Sequence, residues 1–134
     1  MTQRQLDRLR RKWQKTLRLQ DWKIKARVVG LGVIPDDDLG RCEWLLDART
    51  ADINILDPAC CEEGDAIVSQ DVEGTLVHEL LHCHFAPFHS ENQAINTQAE
   101  QVIDTLAEAL VGLDRVKRPT RKTRSLKAAS KRAR

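Results

Sequence analysis

The chain has 134 residues, 41% hydrophobic and 31% charged, with a formal net charge of +2. That size allows one domain with a modest core, and no apolar run reaches the length of a membrane span. The basic start leads into no apolar signal region, so the sequence reads as a cytoplasmic protein whose cysteines are reduced thiols, with no membrane partner.

The small net charge hides a strong segregation. Residues 1–27 hold ten Lys/Arg against two acids, residues 28–114 hold two against 18, and residues 115–134 hold ten against none. The expected organisation is a compact domain over 1–114 and a basic, flexible tail over 115–134. An acidic domain suits a basic peptide or protein partner. The tail can contact nucleic-acid phosphates non-specifically, but it has no aromatic residue on which to stack a base.

Residues 2–19 read as an amphipathic helix, because Leu6, Leu9, Trp13 and Leu17 recur at spacings of three and four. Asp21 is expected to end it. Residues 22–28 alternate as a half-buried strand, and 28–34 continue it through a glycine bend. A polar loop from Pro35 to Gly40 follows. Residues 41–47 read as a second strand with Cys42, Trp44 and Leu46 on one face. Residues 51–56 read as a third, stopped by Asp57-Pro58. Residues 57–70 form an acid-rich loop.

The next helix runs from about Asp71 to Phe85, where Pro87 limits it. Ser90 with Gln93 three residues on matches a capping box for a last long helix, ending near Leu113. Its apolar stripe is expected to be Ile95, Ala99, Val102, Ile103, Leu106, Leu110 and Leu113. The fold class is α+β: an N-terminal helix, a small three-stranded sheet and two further helices.

The chemistry lies in His78-Glu79-x-x-His82. Positions i and i+4 lie one turn apart on the same helix face, so both imidazoles can reach one cation. Glu79 sits beside them, placed to hold an attacking water rather than the metal. Leu76, Val77, Leu80, Leu81 and Phe85 surround the motif with apolar residues, where imidazoles without a partner would be costly to bury. A catalytic zinc needs two such imidazoles, a third ligand and one open position.

Candidates for the third ligand are His84, His89, Glu91, Glu100 and Asp104. His84 is two residues after His82 and points elsewhere on the helix. His89 lies in the loop after Pro87. Glu100 is better placed, on the border of the next helix's apolar stripe. Asp104, one turn further, could accept a hydrogen bond from the far nitrogen of a ligand histidine and fix its tautomer. The cysteines show no C-x-x-C spacing and suggest no second metal site.

His78-Glu79-x-x-His82 followed by Glu100-x-x-x-Asp104 resembles the gluzincin arrangement of zinc metallopeptidases. In size and layout the chain is similar to minigluzincins, to ImmA/IrrE-like peptidases and to small phage-encoded metallopeptidases. The resemblance implies that His78, His82 and Glu100 bind zinc, that Glu79 is the catalytic base, and that Asp104 orients a ligand histidine. It also implies that the strand over 51–56 edges the substrate cleft. The chain has no Tyr, so the oxyanion role falls to His84, His89 or Arg49. SprT-like peptidases, with a histidine as third ligand, are the runner-up; there His89 would be that ligand. Two further alternatives are a nucleic-acid-associated protein with a structural zinc and a basic tail, and a peptidase fold that binds peptides without cutting them.

Overall fold

The computed structural model describes residues 1–61 and 71–118. Three helices and three strands follow in the order α1 (Gln3–Thr16), β1 (Lys23–Val29), β2 (Gly40–Leu45), β3 (Thr50–Leu56), α2 (Val72–Phe85) and α3 (Gln93–Lys117). Short 3-10 turns, Pro58–Cys60 and Ala86–Phe88, follow β3 and α2. The fold is α+β. No described helix is long and apolar enough to cross a membrane.

Helix α1 starts at a capping box in which the Thr2 hydroxyl accepts from Gln5 N–H and the Gln5 side chain accepts from Thr2 N–H. It ends at Thr16, earlier than the apolar spacing suggests. Arg18 adopts a left-handed conformation (φ 57°) that stops the helix and turns Leu19 into the core. Leu6 and Trp13 are its buried anchors.

The sheet order is β1-β3-β2, with β1 parallel and β2 antiparallel to β3. This corrects the expectation that residues 51–56 edge the cleft. β3 carries Ala51, Ile53 and Ile55 on its buried face and is paired on both sides, so β2 is the edge on the side away from β1. β1 stops at Val29 and does not continue through 34. Gly32 takes a positive φ of 83° in the turn beyond, with Leu31 and Val33 exposed. Leu46 lies beyond the end of β2, in the turn to β3, leaving Cys42 and Trp44 on its inner face.

One sheet face packs against the helices. The other carries Lys25, Asp52 and Glu43 side by side across the three strands. Helix α2 is apolar on several sides and lies between the sheet and the other two helices, burying Leu76, Val77, Leu80 and Cys83 almost completely. Each such side chain contributes roughly 1.5–3 kcal/mol of burial.

The α2–α3 connection is fixed by side chains. Asn92 caps α3 by accepting from Ala94 N–H, so Asn92, not Ser90, is the cap. Ser90 instead accepts from Asn92 N–H and is gripped by Asn96, which accepts from Ser90 N–H (3.0 Å) and donates to its carbonyl (2.7 Å). Asn96 stands one turn before Glu100, so this clamp sets where that carboxylate lands.

Helix α3 buries Ile103, Ala107 and Val111, and Leu110 packs against the core; of the expected stripe Ile103 and Leu110 face inward, whereas Ile95, Val102, Leu106 and Leu113 are exposed. It also extends past the expected domain boundary. Arg115 pairs with Asp71, and Arg118 with Glu73 and Asp114. The rest of the basic tail, 119–134, and most of the acidic loop, 62–70, lie outside the described residues.

Candidate metal centre

His78 and His82 project from adjacent turns of α2 with their Nε2 atoms 3.3 Å apart. Glu100, from α3, reaches both: one carboxylate oxygen is 3.2 Å from His78 Nε2 and the other 3.1 Å from His82 Nε2. Asp104 Oδ1 lies 2.8 Å from His78 Nδ1. In a neutral imidazole that contact would favour the proton on Nδ1 and turn the Nε2 lone pair toward the Glu100 carboxylate. Electron-rich atoms crowded this closely call for a cation between them. Ligands about 2.0–2.1 Å from a tetrahedral ion are separated by roughly 3.3 Å, and the three observed spacings fit.

Burial lowers the His82 pKa, against the opposing pull of Glu100, and so favours the neutral imidazole a metal requires. Trp44 of β2 lies nearly parallel to the His82 ring, 5.8 Å between centroids and 14° between planes, and restricts its rotation. Glu79 stands apart from the triangle. Its ligand atom groups with those of His78 and His82 within 4.8 Å, but its closest recorded approach to His82 Nε2 is 4.0 Å. Glu100 is the nearer carboxylate and the better ligand.

Glu79 is 6% exposed. Burial first, then the charges of Glu100 and Asp38, push its pKa up to about 8, against the backbone N–H of Cys42. A dication at the triangle would oppose that rise. The close approach of β2 depends on Gly40, where a Cβ would lie 2.7 Å from Thr75 Cγ2 and 2.9 Å from a Glu79 oxygen. Gly40 thus lets the edge strand run directly beside the motif.

The other candidates are dispersed. His84 points away from the triangle, its Nε2 2.7 Å from the Leu17 carbonyl, where it ties α2 to the end of α1. His89 stands edge-on to Trp44 at 5.6 Å and lines the same cavity as His82. It is not one of the three converging donors. Arg49 pairs with Asp21. Glu91 is exposed at the loop before α3. Cys42 and Cys83 hydrogen-bond to each other, and that bond together with burial raises the Cys42 thiol. Trp44 and Gly40 carry no motif. Only the folding of β2 against α2 brings them to the site.

No protein-family model, curated protein or solved structure matches the chain.

Two cavities meet at the triangle. One, of about 330 Å³, runs past Trp44, Phe85, Phe88 and His89 to His82 and Glu100. The other, of about 870 Å³, runs from Asp37, Asp38 and Glu108 to His78, Glu79 and Glu100. The candidate metal site therefore sits between an aromatic recess and an acidic groove. With the Glu100 side chain 48% and that of Asp104 71% exposed, the site is open to solvent on the α3 side.

Metal content follows from this geometry. The purified chain should hold one zinc after reconstitution, measured by inductively coupled plasma mass spectrometry. His78→Ala and Glu100→Ala should each lose it or bind it at least about 100-fold more weakly, whereas Asp104→Ala should cost about 10–100-fold in affinity. Undiminished binding in Glu100→Ala would move the third ligand elsewhere, with His89 the next nearest imidazole.

Proposed function

We propose that the chain is a zinc-dependent metallopeptidase, an endopeptidase of gluzincin type, that hydrolyses peptide bonds over the His78, His82 and Glu100 triangle. The observation that carries this reading is the convergence of two Nε2 atoms and a carboxylate from two helices, with a second, buried carboxylate held just outside the triangle. Two imidazoles and a carboxylate favour zinc among the common divalent cations. When bound, zinc supplies Lewis acidity toward water and toward the scissile carbonyl.

The chain's own residues supply the proton transfers and the positioning. Glu79 takes a proton from the attacking water as its oxygen joins the carbonyl carbon. It returns that proton to the leaving amine as the C–N bond breaks. Asp104 holds His78 in the required tautomer, and Trp44 holds the plane of His82. His89, across Trp44 from His82, is the remaining imidazole for the developing oxyanion. His84 and Arg49 are committed elsewhere.

The substrate class follows from the two cavities. A peptide crossing the centre meets carboxylates on one side and aromatic rings on the other. Lys or Arg should be selected on the Asp37, Asp38 and Glu108 side, and a bulky apolar residue on the Trp44 and Phe88 side. A randomised peptide library digested with the zinc-loaded protein, read by mass spectrometry, tests both points. The expected profile has a basic residue to one side of the cut and an apolar one to the other. Cleavage abolished by a chelator and restored by zinc supports the activity. No zinc-dependent cleavage across the library counts against the function itself, and cleavage without side-chain preference counts against the cavity assignment.

The nucleic-acid reading loses two of its tail cations: Arg115 and Arg118 are occupied by acids of the domain, while Lys117 between them is exposed.

A further inference from the structure

Helix α1 carries a row of cations that the fold does not use. Arg4, Arg8, Arg11 and Lys15 follow at spacings of four, three and four, which puts them on one helix face, opposite the buried Leu6 and Trp13. A second row, Lys23, Lys25 and Arg27, stands on β1, on the outer face of the sheet. All seven are exposed, and none has an ion pair among the described residues. The described Lys and Arg beyond residue 27 are ion-paired, Lys117 excepted. We propose that this α1–β1 face binds the phosphate backbone of a nucleic-acid duplex without reading its sequence.

The two rows belong to one surface. Helix α1 lies along the outer edge of β1 and is fastened there by two amides. Gln3 donates to the Ala26 carbonyl (2.7 Å) and accepts from Val28 N–H (3.2 Å), and Gln14 donates to the Trp22 carbonyl (2.9 Å). Two cavities, of about 430 and 500 Å³, lie along this junction, and Arg10 and Lys25 line both. Arg10 donates to Gln14 Oε1 at 2.7 Å and also lacks an ion pair among the described residues. The acids nearby are few. Asp7 is half-buried and accepts from Gln3 Nε2, Asp21 is paired with Arg49, and Asp52 and Glu43 follow Lys25 across the sheet.

Other anionic partners fit less well. No large hydrophobic residue between Thr2 and Val29 is exposed. A helix that lies on a membrane inserts an apolar face, and α1 has built its own into the core. A specific protein interface is centred on apolar or aromatic anchors, and this surface offers none. Trp13 and Trp22 are buried, so no ring is presented on which an unpaired base could stack, and a duplex is favoured over a single strand. Three of the four cations on α1 are arginines, whose planar fork matches phosphate oxygens. Their row is about 16 Å long, enough to meet several phosphates. The charge distribution also sets an orientation. The β1 and β2 strands are opposite edges of the sheet, and the candidate metal site with its acidic groove lies on the β2 side. A duplex attracts the first edge and repels the second, so it binds with the groove facing away.

Fluorescence anisotropy of the full chain on a short labelled DNA duplex, over a series of salt concentrations, tests the proposal without reference to metal or activity. The wild type should bind with an affinity that falls steeply with salt and does not depend on duplex sequence. Combining Arg4→Gln, Arg8→Gln, Arg11→Gln and Lys15→Gln should lower the slope of log affinity against log salt by about 3 and weaken binding at least about tenfold. Combining Lys23→Gln, Lys25→Gln and Arg27→Gln should lower the slope by about 2. All seven side chains are exposed and Gln is a good helix former, so circular dichroism should be unchanged. Arg4→Lys, Arg8→Lys and Arg11→Lys together keep the charge and should keep the slope. The basic tail is the competing source of cations, so Arg121→Gln, Lys122→Gln, Arg124→Gln and Lys127→Gln combined form the matched control. A wild-type slope in either the α1 or the β1 variant, with the loss falling on the tail variant instead, would overturn the proposal. So would a wild type that ignores the duplex, or one that binds vesicles containing phosphatidylserine and not the duplex.

Discussion

Glu79→Gln will keep its zinc and lose peptide hydrolysis by on the order of 1,000-fold or more, the contribution expected of a general base. The amide would occupy the same space as the carboxylate without accepting a proton. The His78, His82 and Glu100 donors do not depend on Glu79, so metal content should match the wild type. Stability separates this from a structural role. The folded pKa of Glu79 is raised to about 8 from a usual 4.5, with burial the first cause. An acid raised in the folded state binds protons more tightly there than in the unfolded chain. Stability of the metal-free wild type should therefore fall as pH rises from about 4.5 to 8, and the amide should relieve that loss. At about pH 8 the metal-free variant should melt no lower than the metal-free wild type by differential scanning calorimetry. A variant that cuts the susceptible peptide at the wild-type rate would remove Glu79 from the mechanism. One that loses activity together with metal or stability would make it structural.

Much of the fold is legible in local pattern. Apolar residues at three- and four-residue spacing mark α1, alternation marks β1 and β3, and Pro87 marks the limit of α2. What local pattern cannot carry is pairing. β3 is central because Ile53 and Ile55 are buried beneath the helices while partners bond on both sides, which depends on chain segments far apart. The α3 stripe shows the converse problem. Periodicity finds every apolar line on a helix, but only tertiary packing decides which is buried. On α3 the core takes Ile103, Ala107 and Val111, turning Glu100 and Asp104 toward His78 and His82. The stronger apolar line is left outside. At the candidate metal site, Glu100 and Asp104 are readable because their spacing has a use beside two histidines. Trp44 and Gly40 are not, because their roles come from β2 lying against α2.

Glu73 is the buried charge whose substitution should cost the most stability among the described acids. It is 8% exposed and ties all three helices together. Trp13 Nε1 donates to it at 2.8 Å, Lys12 Nζ at 3.2 Å and Arg118 Nη2 at 2.7 Å, with Arg115 Nη2 3.7 Å away. It also stands in the first turn of α2, where the helix dipole favours a carboxylate. Glu73→Ala leaves the N–H of fully buried Trp13 without this acceptor and removes the anion on which three cations converge. Lys12, Arg115 and Arg118 are partly exposed and can turn to water, so their share is small. The orphaned Trp13 donor and the lost packing together should cost about 2–3 kcal/mol, or roughly 10 °C in thermal midpoint. Glu73→Gln, which keeps a neutral acceptor, should lose about half as much. The pH dependence has a definite sign. Burial alone would raise the Glu73 pKa, but the bonds from Trp13, Lys12 and Arg118 outweigh it and hold it below the usual value. Asp71 is also lowered: burial works against it, and Arg115 with the N–H of Gly74 more than compensates. Carboxylates depressed in the folded state contribute stability that is fully present above about pH 4.5 and lost as pH falls through their folded values. The wild type should therefore lose stability on acidification from about pH 4.5, and Glu73→Gln should lose less over the same interval. Parallel acid-unfolding curves for the two proteins would refute this assignment. They would leave the junction of α1, α2 and α3 held by packing alone.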